Sequence, residues 1–108
     1  MATPTFVDEP ADVIALHVVK TPGVMGGRAR IQGTRISVTN VVTSCRVEGW
    51  SPEEYQANFD WVSLADIYAS FAYYYDHREE LEAQLVEDEE FAERFRREHP
   101  DKVFLLPE

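Results

Sequence analysis

The apolar positions of this chain keep one period up to about residue 36 and another after it. From Val13 to Val19 the residues are mostly aliphatic, with His17 among them, and a strand is predicted there. Thr21-Pro22-Gly23 and Gly26-Gly27 mark turns. Arg28 to Ile31 alternates charged and apolar residues, as a half-exposed strand does. The two segments predict a small antiparallel pair, which is marginal alone and must pack on something else. Gly33-Thr34 predicts a turn, because glycine permits a positive φ and the threonine hydroxyl can bond within it.

From Val38 the period is helical. Val38, Val41, Val42 and Cys45 fall on one face, with Ser37 as the N-cap and Gly49 as the stop. Ser51-Pro52-Glu53-Glu54 starts a second, short helix: Ser51 as cap, Pro52 at the first position, Glu54 closing a capping box. It is expected to end near Phe59. Ser63 caps a third helix, with Asp66 three residues on. Leu64, Ile67, Tyr68, Phe71, Ala72 and Tyr75 are expected to form its buried stripe, continuing weakly through Leu81 and Leu85. Asp88-Glu89-Glu90 predicts a restart, with acids in the first turn and Arg94, Arg96 and Arg97 in the last, matching the helix macrodipole. Pro100 ends that helix at or before His99. The expected organisation is a flexible arm (1–12), a β-element plus helical domain (13–87), and a C-terminal partner-binding helix and apolar tail (88–108). The fold class is mainly α.

Composition narrows the function. The 108 residues are 44% hydrophobic and 12% aromatic, enough for one modest core. The net charge is −10, and its distribution matters more than its sum. Between residues 13 and 47 the charged residues are Lys20, Arg28, Arg30, Arg35 and Arg46, all basic. No Lys or Arg occurs from Val47 to His77, and twelve acids face five bases from Asp76 to Glu108. Such asymmetry points to two surfaces with different partners. The overall acidity argues against indiscriminate nucleic-acid binding. The single cysteine, Cys45, cannot form an internal disulfide, and no apolar run is long enough to span a membrane. With no signal-peptide pattern either, a cytoplasmic protein is the expectation.

Gly27-x-x-x-Ile31-x-Gly33-Thr34-Arg35-Ile36-x-Val38, then Gly49-x-Ser51-Pro52-Glu53-Glu54, then Leu64-x-Asp66-Ile67 and Ala72-Tyr73-Tyr74, resemble the family called domain of unknown function 433. The resemblance covers about residues 22 to 81. One departure is Ala29, where the family often has proline two residues before the isoleucine. The resemblance implies a homeodomain-like helix-turn-helix unit beside the β-element, with the C-terminal helix as an extension. It also implies an antitoxin of VapB type that neutralises a PIN-like ribonuclease toxin and binds operator DNA.

The candidate residues follow from chemistry. Arg28 and Arg30 are two apart, so a strand places them on one face, and with Arg35 they are the candidate DNA contacts. Pairing with the chain's own carboxylates is the equal alternative. In a helix-turn-helix the third helix would present Ser63, Ala65, Asp66, Ala69 and Ser70 to the groove, and Asp66 would repel phosphate. The basic strand-turn is therefore the better DNA candidate. Tyr73, Tyr74 and Tyr75 point about 100° apart on a helix and cannot form one stacking platform. Packing and a homodimer interface suit them better. Cys45, His17, His77 and His99 show no catalytic or metal-site spacing, so an enzyme is not expected and no cofactor is implied. In the C-terminal segment Phe91, Phe95, Phe104 and Leu105 are candidate anchors for a toxin groove. Arg94, Arg96 or Arg97 are candidates to compete with metal at the toxin's acidic site. The leading expectation is an antitoxin. A stand-alone DNA-binding regulator and a structural dimerisation module are the alternatives.

Overall fold

The computed structural model describes residues 7–9, 11 and 14–100. The order of elements is β1 (Val18–Val19), β2 (Arg30–Ile31), α1 (Val38–Val42), α2 (Pro52–Asn58), α3 (Leu64–Asp76) and α4 (Arg78–Glu98). The fold is mainly α with a small antiparallel sheet at its N-terminal end, as the change of period predicts. β1 and β2 pair through Val18 with Ile31 and Val19 with Arg30. β2 is also bonded on its other edge. Ile31 N–H donates to the Ile36 carbonyl at 2.8 Å, and Val38 N–H to Ala29 at 3.0 Å. The tight loop between them needs Gly33, at φ +77°. Thr34 braces it by donating to the Ile31 carbonyl at 2.8 Å and accepting from Ile36 N–H at 3.0 Å.

Three helix starts have the predicted caps. Ser37 accepts from Asn40 N–H. Ser51 with Glu54, and Ser63 with Asp66, each form a reciprocal capping box. α1 continues into a wider π turn over Thr43–Val47. Gly49, at φ +83°, then redirects the chain toward α2.

α1 lies between two halves of the core. Val38 and Val42 join Val18, Ala29, Ala69, Tyr73, Tyr74 and Leu81. Val41 joins Ile31, Tyr55, Val62 and Ile67. The i, i+3, i+4 spacing thus puts one helix in both clusters.

Three expectations need correction. The strand expected over 13–19 is confined to Val18–Val19. Ile14 to His17 form a turn instead, closed by Val18 N–H donating to the Ile14 carbonyl at 2.8 Å. The α3 stripe is rotated from the expected one. Ile67, Ala69, Ser70, Tyr73 and Tyr74 are buried, whereas Tyr68 and Tyr75 are 53% and 54% exposed. Ser70 can sit inside because its hydroxyl donates to the Asp66 carbonyl at 2.8 Å, which satisfies it without water. Finally, the helix expected to restart at Asp88 begins at Arg78, immediately after a break at His77 (φ −130°, ψ 39°). Leu81 is its one fully buried residue among those described. The expected end before His99 agrees with the structure.

The sheet is tied to α3 through Asp66. Its Oδ1 lies 2.7 Å from His17 Nδ1, and its Oδ2 accepts from Ser63 N–H at 2.9 Å. Burial works to raise the Asp66 pKa, but the Ser63 and His17 hydrogen bonds outweigh it and hold the carboxyl below its ordinary value. A carboxylate depressed on folding stabilises fully above its unfolded pKa, and that contribution is lost as pH falls through the folded value. Asp66→Asn should therefore cost about 1 kcal/mol at pH 7 and flatten the loss of stability below about pH 4. Urea unfolding at pH 7 and pH 3 measures both. An unchanged acid slope in the variant would remove this role from Asp66.

Candidate partner-binding site

The structure divides the candidate residues between two places. The first is the basic strand-turn. Arg28 is not part of a strand. It follows a single helical turn at Met25–Gly27, and only Arg30 lies in β2. Arg28 Nη1 donates to Asp88 Oδ2 at 2.9 Å, and Nη2 lies 3.7 Å from Glu87 Oε2. Arg30 donates to the Thr21 hydroxyl at 3.0 Å. Its Nε is buried without a hydrogen-bond partner among the described residues. Arg35 is exposed on the turn after Gly33, with no carboxylate partner among the described residues. The two arginines expected side by side thus serve different local contacts, and the pairing alternative describes Arg28.

The second place is α4. Its inner flank is tied to the β-element at two points: Lys20 Nζ to Glu80 Oε1 at 3.0 Å, and Arg28 to Glu87 and Asp88. These carboxylates are two helical turns apart, so both clasps fall on one side of α4. No local pattern signals these clasps, since Lys20 and Glu80, and Arg28 and Asp88, lie 60 residues apart. Beyond Asp88 the helix continues without an ion pair to the β-element among the described residues. A 21-residue helix is about 31 Å long; Leu81, its one fully buried residue among those described, lies in the first turn, and Gln84 and Leu85 are half-buried in the second.

The last turns carry the predicted anchors. Phe91 is 62% exposed. It lies one turn before Phe95, with ring centroids 6.4 Å apart, and Phe95 contacts His99 at 4.7 Å. Arg94 and Arg97 are exposed and form no ion pair among the described residues, whereas Arg96 lies 3.6 Å from Glu89. Successive helical positions at 100° set Phe95, Phe91, Arg94 and Arg97 side by side in that order around the helix. A shallow groove beside Arg28 is lined by Glu87, Asp88, Glu90, Phe91 and Arg94. Phe104 and Leu105 lie outside the described residues. The arrangement can bind; what it offers is two aromatic rings edged by two uncommitted guanidiniums. No group of three or more His, Cys, Asp or Glu side chains among the described residues is placed to hold a metal ion.

Residues 18–74 match the model of a family described as protein of unknown function (DUF433). The chain belongs to the DUF433 family. A solved crystal structure of a DUF433 member from Anabaena variabilis is 32% identical, with a TM-score of 0.62, covering 69% of this chain and 73% of that one. No curated protein matches the chain. The DUF433 match takes in the β-element and the first three helices and stops two residues before the end of α3. The exposed turns of α4 therefore lie outside the matched region. Among the described residues no helix is long and apolar enough to cross a membrane.

Arg28→Ala is expected to lower stability by about 0–1 kcal/mol, the range for a partly exposed ion pair. The larger effect should be on α4, because one of its two clasps is lost. Amide exchange over Asp88–Glu98 should quicken while α3 is unaffected. Unchanged exchange there would show that the clasp does not hold the helix.

Proposed function

We propose that this protein is a binding protein of the antitoxin kind, which neutralises a PIN-like ribonuclease by laying the end of α4 over the ribonuclease's acidic site. The observation that carries this reading is the uncommitted face of α4. Phe91 and Phe95 supply apolar anchors for a groove, and the neighbouring Arg94 and Arg97 form no ion pair among the described residues. An amphipathic helix with anchors four residues apart is a recurrent way of filling a partner's groove. Guanidiniums set beside such anchors would reach metal-binding carboxylates, and their positive charge opposes divalent-cation binding there. Membership of the DUF433 family, through the VapB-type antitoxin role that the family resemblance implies, suggests the class of partner.

A stand-alone DNA-binding regulator has less support. Arg28 is neutralised by Glu87 and Asp88, Asp66 is committed to its capping box and His17, and Ser70 is buried. Of the three candidate arginines, Arg30 is bonded to the Thr21 hydroxyl and Arg35 is the exposed one with no carboxylate partner among the described residues. Operator binding, if present, would rest on Arg35 and on the pairing of copies, not on the third helix. Co-expression with the PIN-like product of an adjacent gene tests the proposal. Co-purification and restored growth support it. Growth arrest undiminished by this chain, with no complex recovered, counts against it.

A further inference from the structure

The outer face of α3 is built as a helix seam, and we infer that it pairs with the same face of a second copy in antiparallel register. Ala65, Tyr68, Ala72 and Tyr75 follow one another at spacings of three, four and three, the a/d spacing of a two-helix seam. All four are exposed. Leu64 and Phe71 border them, half-buried against the domain's own core. The four seam side chains are uncharged in a chain of net charge −10, and Arg46 reaches the face at Tyr75, its C-terminal end. Two copies of so acidic a protein repel each other over most of their surface, so a self-contact requires a face poor in acidic side chains.

Side-chain size selects the occupant and its direction. Small and large residues alternate along the seam. In an antiparallel pair centred near Ser70, Tyr68 of one copy lies opposite Ala72 of the other, and Ala65 lies opposite Tyr75. Every large ring then meets a small residue, and one two-fold operation satisfies both copies. A parallel pair would set Tyr68 against Tyr68 and Ala72 against Ala72, leaving collisions and gaps in alternate layers.

Charge selects the same direction. Arg46 sits at the C-terminal end of the seam. Its guanidinium lies 5.6 Å over the Tyr75 ring, and it donates to the Tyr75 hydroxyl. Asp60 is exposed in the turn that leads into the N-terminal end. Antiparallel pairing brings Arg46 of one copy toward Asp60 of the other. It also sets Asp76, at the end of α3, beside the N-terminus of the partner's α3, where a negative charge is favoured. Parallel pairing would place Arg46 against Arg46 and Asp76 against Asp76. The seam is about 15 Å long, so the pair is reversible and not an obligate dimer. It uses a different face of the molecule from α4 and does not depend on the toxin reading.

Sedimentation of the full chain should show a concentration-dependent rise from 12.4 kDa to twice that mass. Tyr68→Glu should hold it at the monomer mass with an unchanged far-UV dichroism spectrum, because Tyr68 is on the surface. Phe91→Glu should leave the dimer in place. Direction is read by oxidative crosslinking in a Cys45→Ser background. Ala65 and Tyr75 of the same copy number each lie about 15 Å along the axis from their own symmetry mates, beyond disulfide reach. Ala65→Cys alone and Tyr75→Cys alone should therefore stay uncrosslinked, while a mixture of the two should give a covalent dimer. A monomer at tens of micromolar, a dimer that survives Tyr68→Glu, or self-crosslinking of either single variant would overturn the inference.

Discussion

A chain lacking residues 88–108 is expected to remain folded and to lose neutralisation of its ribonuclease. The buried side chains of α4 end at Leu81, seven residues before the cut. The two core clusters draw on α1, α2, α3, the β-element and Leu81, and on nothing described beyond it. The truncation removes Asp88 and with it the shorter Arg28 contact, a partly exposed pair worth about 0–1 kcal/mol. It also removes eleven helical residues, Asp88–Glu98. The dichroism signal should fall by that share while the unfolding transition stays cooperative and its midpoint drops by a few degrees at most. Neutralisation should vanish, because Phe91, Phe95, Arg94 and Arg97 leave together. Phe91→Asp in the full chain separates the effects: on an exposed site it should leave stability unchanged and still cut binding by at least tenfold, the loss of about 1.4 kcal/mol or more. A truncated chain that unfolds would make the end of α4 part of the core. One that still rescues growth would move the partner surface elsewhere.

Tyr55→Ala should be the most damaging single change to the fold. Tyr55 is fully buried at the centre of the second core cluster. Its ring packs on Phe59 at 4.7 Å and Trp50 at 6.0 Å, and its hydroxyl donates to Asn40 Oδ1 at 2.7 Å. Removing a buried aromatic costs about 3–5 kcal/mol, a large part of the stability of a domain this small. Tyr55→Phe keeps the ring and should cost about 1 kcal/mol. Burial pushes the Tyr55 phenol up to about 12. Because the folded value lies above the unfolded one, the contribution is complete below about pH 10 and is lost as pH rises toward 12. Tyr55→Phe should therefore be less sensitive to alkali than the parent chain. Equilibrium urea unfolding of both variants between pH 7 and 11 checks these expectations. A Tyr55→Ala protein within 1 kcal/mol of the parent would contradict the core assignment.

Local chemistry was readable in the sequence. Ser51 with Glu54 and Ser63 with Asp66 satisfy backbone donors within one turn, so their capping boxes follow from spacing alone. Gly33-Thr34 is legible for the same reason: φ +77° and two hydrogen bonds close within six residues. Features that depend on distant packing were not readable. Tyr68 and Tyr75 look like core residues to any hydrophobicity count, and Ser70 looks like surface. The rotation of α3 is decided by what α1 and the sheet present to it, and by Ser70 bonding back to Asp66. Leu81, by contrast, lies on the extension of the stripe that the periodicity predicts, and it is buried. Arg28 shows the same limit. The partners of Arg28 are 59 and 60 residues away in the chain. Of the candidate partner-binding residues, the exposure of Phe91 and the lack of ion pairs at Arg94 and Arg97 are structural facts that period and composition could not supply.

Hydrogen exchange of the full chain, alone and with its co-expressed PIN-like ribonuclease, tests the central claim most directly. The proposed arrangement gives strong new protection over Asp88–Glu98, where the helix has no fully buried residue, with little change at Gly33–Ile36 or along α3. Protection confined to the strand-turn or to α3, with α4 exchanging as before, would contradict it.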